Sequence, residues 1–150
     1  DSLLLVGYQM NRGNIAVVKQ WHSSATLLAN RFELQQILIN LILNAIQAMP
    51  QGGVLTLSAH DAPGSDGSPG LRLSVADNGS GIAEADMARL FDPFFTSKHD
   101  GTGLGLWVCQ GLAERSGGVI EAANQPQGGA MFSVWLPCEP ALAAVGLAVL

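Results

Sequence analysis

An α+β fold is what the sequence predicts, on three observations. Residues 31–49 (RFELQQILINLILNAIQAM) carry a helical period with one broad apolar face, of the kind that lies on a sheet. Residues 54–60 and 71–76 read as two strands joined by a turn-rich loop, the spacing of an antiparallel pair. Residues 119–122 and 130–136 read as two further strands about a short connection. At 150 residues, 48% apolar and only 13% charged, the chain has the size of one globular domain with a proper core.

The same composition excludes several function classes. A net charge of −5 with no Lys/Arg cluster argues against a nucleic-acid surface. A phosphate ligand would therefore be held by backbone N–H groups, a metal and one or two cations. Cys109 and Cys138 are far apart, with neither a CxxC nor a paired His, so neither a zinc site nor a disulfide framework is indicated. No signal peptide is visible, and every apolar run is shorter than the roughly 20 residues that cross a bilayer. Residues 1–12 read as the end of a helix entered partway, or a linker, so the chain is expected to be a fragment of a longer protein. Residues 13–138 form the main domain, and the apolar tail 139–150 reads as linker, docking helix or frayed end.

In chain order, residues 2–10 suit a helix tail, closed by Asn11-Arg12-Gly13. Residues 15–21 (IAVVKQW) are β-branched and read as a strand, 25–28 as a short second one, and His22 as a strand-end or turn residue. The 31–49 helix places Glu33, Gln36, Asn40, Asn44 and Gln47 within a sector of about 80°. Leu34, Ile37, Leu38, Leu41, Ile42, Ala45 and Met49 fill the opposite side. A polar face made of amides suits coordination of a hard cation or hydrogen bonding to a ligand, because amide oxygens add no negative charge beside phosphates. The alternative is a solvated face that is merely Asn/Gln-rich. After the turn at 50–53 come the strand 54–60, a polar, mobile loop at 61–70, and the strand 71–76.

That last strand runs into Asp77-Asn78-Gly79-Ser80-Gly81-Ile82. A carboxylate at the end of a buried strand, followed by Gly-x-Gly, sets a fixed acceptor at the mouth of a pocket; the plain alternative is an Asp-Asn-Gly turn capping the strand. Residues 84–90 read as a short helix. The following Phe91-Asp92-Pro93-Phe94-Phe95 is irregular because of its Pro, and its three rings are expected to be buried as anchors. Gly101-Thr102-Gly103-Leu104-Gly105-Leu106 then opens a helix through Ala113, where several N–H groups and the helix dipole face an anion. Its GxGxG spacing is neither the dinucleotide fingerprint nor a Walker A loop. Ser116-Gly117-Gly118 ends that helix.

Taken in order, these elements resemble the ATP-binding catalytic domain of bacterial sensor histidine kinases, in the GHKL superfamily with gyrase. The likeness runs from about residue 15 to 137. Asn40-Leu41-Ile42-Leu43-Asn44-Ala45 resembles the N box, Asp77 to Gly81 the G1 box, Phe91 to Phe95 the F box, and Gly101 to Leu106 the G2 box. FDPFFTSK followed by GTGLGL is most similar to the nitrogen-regulatory and C4-dicarboxylate-sensing branch. The resemblance implies the Bergerat fold, a two-layer α/β sandwich whose mixed, mainly antiparallel sheet carries helices on one face. It implies ATP and Mg²⁺ as ligands, held between the central helix and a lid over residues 91–103. Asp77 would accept from the adenine amino group, Asn44 would bind Mg²⁺ with Asn40 near the phosphates, and Lys98 would reach in from the lid. Gly101, Thr102, Gly103, Leu104 and Gly105 would wrap the triphosphate, with Gly79, Gly81, Ile82, Phe91 and Leu106 completing the ATP-binding set.

Two departures refine the resemblance. ATP-hydrolysing relatives carry a Glu where this chain has Asn40, which cannot act as a general base. The Thr usual in the last strand is matched by Met131. No phosphoacceptor motif surrounds His22, His60 or His99. The substrate histidine is thus expected on an upstream dimerisation domain, with relay to an aspartate on a response-regulator receiver domain. The fragment is expected to be monomeric, the full-length protein a homodimer, and the domain cytoplasmic, with an inner-membrane anchor elsewhere in the parent left open. A GHKL-type ATPase, a nucleotide- or partner-binding module without transfer activity, and an anti-sigma-type serine kinase are the alternatives.

Overall fold

The structure is a computed structural model that describes residues 7, 11–23, 26–27, 30–96 and 103–139. Six strands form its sheet: β1 (Ile15–His22), β2 (Thr26–Leu27), β3 (Gly53–Asp61), β4 (Gly70–Asp77), β5 (Val119–Asn124) and β6 (Ala130–Glu139). β1 runs parallel to β3, β3 antiparallel to β4, and β4 antiparallel to β6. β5 lies along residues 130–135 of β6, and β2 pairs with Cys138 and Glu139. Past residue 12, the helices among the described residues are α1 (Arg31–Gln47), the single turn α2 (Glu84–Met87) and α3 (Gly105–Arg115). The sheet is thus mixed and mainly antiparallel, with helices packed on one face.

Strand alternation explains the two layers. Leu55, Leu57 and Ala59 of β3, Leu71, Leu73 and Val75 of β4, and Phe132, Val134 and Leu136 of β6 are all buried, each at every second position. They meet Leu34, Ile37, Leu38, Leu41, Ile42 and Ala45, the apolar side of α1 read from its period. Truncating a fully buried member such as Leu41 to Ala should cost about 2–5 kcal/mol. The other face of the sheet is polar or half-covered. There the Ser74 and Ser133 hydroxyls bond each other at 2.9 Å, and Trp135 donates its indole N–H to Ala62 O at 2.8 Å.

Helix α1 starts at Asn30, whose side-chain oxygen accepts from the N–H groups of Phe32 (2.9 Å) and Glu33 (3.3 Å), a cap worth about 1 kcal/mol. It packs antiparallel against α3, and three contacts set the register: Glu33 pairs with Arg115, Cys109 Sγ donates to Ile37 O, and Asn40 meets Gly105. The α3 helix stops at Gly117, whose φ of +80° lets Gly118 N–H return to Ala113 O at 2.8 Å.

Some sequence expectations change. The 61–70 loop is polar but internally tied, through Gly64 N–H to Ser68 O at 2.8 Å and both Ser68 donors to Asp66 Oδ1, because Asp, Ser and Gly there close nested turns. The 84–90 helix is only one turn long, ending at Met87. Of residues 1–12 only Gly7, Asn11 and Arg12 are described, all helical, and 140–150 lie outside the described residues.

Candidate functional site

Along α1 the amide face borders a cavity of about 550 Å³, within the range of small-molecule sites. Asn40, Asn44, Gln47 and Ala48 form one wall, and from Asn40 to Ala48 the helix rises about 12 Å. At the Ala48 end, β4 delivers Asp77, only 2% exposed. Its Oδ1 accepts from Gly79 N–H at 2.9 Å and from Ala130 N–H at 3.3 Å, which fixes the carboxylate plane. Gly79 is required by space, since an added Cβ would sit 2.2 Å from Ala48 O. The turn therefore lies directly on the C-terminus of α1.

At the Asn40 end the cavity reaches Gly105 and Leu106, the first residues of α3. Among the described residues no side chain caps this helix, and its first return bond is Val108 N–H to Leu104 O at 2.9 Å. The N–H groups of the first turn are thus presented at the cavity, with the positive end of the helix dipole. The Asn40 amide bridges the two helices, accepting from Gln36 Nε2 at 3.0 Å and donating to Gly105 O at 3.4 Å. Beneath it Cys109 is fully buried, and that burial pushes its thiol up to about 11 against a smaller opposing effect of the Asn40 contact.

Phe94 and Gly103 come together in the structure. Phe94 N–H donates to Gly103 O at 2.9 Å, and an added Cβ at Gly103 would meet the Phe94 carbonyl carbon at 2.2 Å. Phe94 itself has φ +66° and is 74% exposed, so the expectation that all three rings are buried fails at this one. The close approach to Gly103 sets the backbone there, and that backbone turns the ring outward. Phe91 packs on the core, and Phe95 lies on the cavity wall under the Arg89 guanidinium, 4.6 Å from the ring centre.

Of the residues expected at the site, Asn40, Asn44, Asp77, Gly81, Ile82, Gly103, Gly105 and Leu106 line this cavity. Gly79, Phe91 and Leu104 do not line it, and Lys98, Gly101 and Thr102 lie outside the described residues. Asp86, Thr96 and Ala130 join the wall without having been singled out, and Phe95 joins it from the run expected to anchor its rings. Ala130 also corrects the reading of Met131. In the β4–β6 register Met131 pairs with Ala76, while Ala130 and Phe132 face the cavity, so Ala130 is the residue beside Asp77. Strand alternation makes any one-residue shift a change of face.

The residues suit a magnesium nucleotide. A Cβ at Gly105 would meet nothing within 4 Å, so an anion can approach the start of α3 closely. Among the described residues no group of three His, Cys, Asp or Glu side chains could hold a metal by itself. An amide oxygen such as that of Asn44 fits Mg²⁺ held mostly by water and phosphate oxygens. Among the described residues no helix is long and apolar enough to cross a membrane.

Residues 29–140 match the family described as histidine kinase-, DNA gyrase B-, and HSP90-like ATPase. The chain is 45% identical over 104 residues to the sensor histidine kinase ZraS of Escherichia coli (strain K12), covering 69% of this chain and 21% of ZraS. To the C4-dicarboxylate transport sensor protein DctB of Rhizobium meliloti (strain 1021) it is 43% identical over 103 residues, covering 67% of this chain and 16% of DctB. It thus spans about a fifth of the length of these relatives. The solved catalytic domain of the histidine kinase ThkA superposes with a TM-score of 0.78 at 30% identity, covering 93% of this chain and 90% of that one. The chain belongs to the histidine kinase-, DNA gyrase B- and HSP90-like ATPase family, as an ATP-binding domain homologous to those of sensor histidine kinases.

Proposed function

We propose that the chain binds Mg–ATP in the α1 cavity and donates its γ-phosphoryl group to a histidine on a separate dimerisation domain, for relay to a response-regulator aspartate. The observation that carries this reading is Asp77: a carboxylate 2% exposed, held by two backbone N–H groups, on the wall of a cavity whose far end is the start of α3. A buried, oriented acceptor selects a ligand that brings a donor, and the adenine amino group is one. The Asn40 and Asn44 amides and the α3 N-terminus, about 12 Å along α1, lie where a triphosphate would follow. Lys98, Gly101, Thr102 and Leu104 complete the phosphate-binding set that the family resemblance implies.

Mg–ATP supplies an activated phosphoryl group with its charge partly neutralised. An imidazole nitrogen forms a bond to the γ-phosphorus as the bond to the ADP oxygen breaks, and the imidazole proton passes to water. The phosphoryl group then moves from nitrogen to a carboxylate oxygen of the receiver. The chain's share is to orient and to exclude water, since phosphoryl transfer asks little covalent work of the protein. Asn40 supports transfer over hydrolysis, because an amide held between Gln36 and Gly105 takes no proton from water. The domain works in the cytoplasm, in a dimeric parent.

Titrating ATP and GTP against the native chain and Asp77→Asn tests the assignment. Loss of a charged buried hydrogen bond costs about 1.5–3 kcal/mol, roughly ten- to a hundred-fold in ATP affinity. GTP should bind the native chain poorly, since guanine O6 is an acceptor facing a carboxylate. Equal ATP affinity in the two proteins would show Asp77 to be only a strand cap.

A further inference from the structure

The wall of the cavity that follows Asp77 does not hold itself in place. Residues 78–83 leave the sheet as a turn with Gly81 at φ +78°, and Ile82 of this turn lines the cavity. Its support comes from 42 residues downstream. Asn124, the last residue of β5, accepts from Ile82 N–H through Oδ1 at 2.7 Å and donates to Ile82 O through Nδ2 at 2.8 Å. One side-chain amide thus satisfies both backbone groups of Ile82, as a neighbouring strand would. Next to it Gln125 donates from Nε2 to Asp77 O at 2.7 Å. Gln125 is in turn fixed by its own N–H to Gly129 O at 2.8 Å. Gly81 permits the approach, since an added Cβ would lie 3.0 Å from Asn124 Oδ1.

Resting on the nucleotide reading above, we infer that Asn124 is a positioning residue for the base-binding half of the site, acting through Ile82. The Asp77–Ile82 turn is braced from three sides: by the C-terminus of α1 at Gly79, by β3 through Val54 N–H to Asn78 Oδ1 at 2.9 Å, and by the β5–β6 turn at Ile82 and Asp77 O. Asn carries both the acceptor and the donor that these two contacts need. Asp at 124 keeps the acceptor but turns a second oxygen toward the Ile82 carbonyl, and Ser has a single atom for two partners. Because Asn40 is held separately, by Gln36 on one side and Gly105 O on the other, the two halves of the site are set by different contacts. The consequence is a split: disturbing Asn124 weakens binding of the base, and leaves the increment contributed by phosphates.

The test titrates adenosine, ADP and ATP with Mg²⁺ against the native chain, Asn124→Ala, Asn124→Asp and the control Gln127→Ala, whose side chain is on the exposed tip of the same turn. Thermal unfolding of each is recorded alongside, with titrations run well below every midpoint. Both Asn124 variants should weaken all three ligands by a common factor of about five- to tenfold, the scale of one or two lost hydrogen bonds. The ATP-to-adenosine affinity ratio should stay as in the native chain, and the control should bind like it. Native-like adenosine affinity in both variants would overturn the inference, as would a loss confined to ATP. Failure of the native chain to bind any of the three would instead overturn the nucleotide reading on which it rests.

Discussion

Cys109 shows how a single residue of the site reports on its packing. Burial between α1 and α3 raises its thiol from 9.0 to about 11. A group whose pKa is raised by folding stabilises the folded state fully below the unfolded value and loses that contribution as pH climbs through the folded one. Between pH 9 and 11 the native chain should therefore lose up to about 2–3 kcal/mol more stability than Cys109→Ala. Denaturant unfolding at pH 8, 9, 10 and 11 checks this, and parallel pH profiles for the two proteins would contradict it. Phe94 and Phe91 make a contrasting pair. Phe94 is 74% exposed, so Phe94→Ala should change stability by less than about 0.5 kcal/mol, whereas Phe91→Ala, on the core, should cost about 2 kcal/mol. Sequence alone treats the two rings alike. What separates them is the close contact between Phe94 and Gly103, which lies beyond the reach of a local pattern.

Between elements, the α1–α3 pair decides how the cavity ends. The Glu33–Arg115 ion pair, with its Arg side chain mostly in solvent, adds little energy, so of the three register contacts the Gln36–Asn40–Gly105 bridge and the Cys109 contact matter most at the site. Asn40→Glu keeps an acceptor for Gln36, removes the donor to Gly105 O and adds a charge beside the expected phosphates. Slow ATP hydrolysis should appear while transfer to histidine falls, as measured by phosphate release and by label on the acceptor domain. No hydrolysis above the native level would mean that water is kept out by another part of the site. Much of this element was legible in the sequence. The period of residues 31–49 puts seven apolar side chains in the core, with Asn40, Asn44 and Gln47 on the cavity. Asp77 was legible too, because a β-strand running into Gly-x-Gly leaves few other places for its carboxylate. The partners that brace these residues were not. Asn124 ends one strand and serves a turn 42 residues earlier, and Ala130 is told from Met131 only by the register of β6 on β4.

At the scale of the whole molecule, the division of labour follows from the two-layer fold. The sheet buries the apolar side of α1, and the polar side, the turn after β4 and the start of α3 converge on one cavity. None of the three histidines sits in a phosphoacceptor motif, and His22 and His60 lie together at the exposed ends of β1 and β3, away from that cavity. A donor without an acceptor is the central claim. Its most direct measurement is incubation with γ-labelled ATP and Mg²⁺, with and without a histidine-bearing dimerisation domain from a sensor histidine kinase. The expected result is acid-labile label on the added domain and none on this chain. Acid-labile phosphate on this chain alone, or release of free phosphate with no label on the added domain, would contradict it.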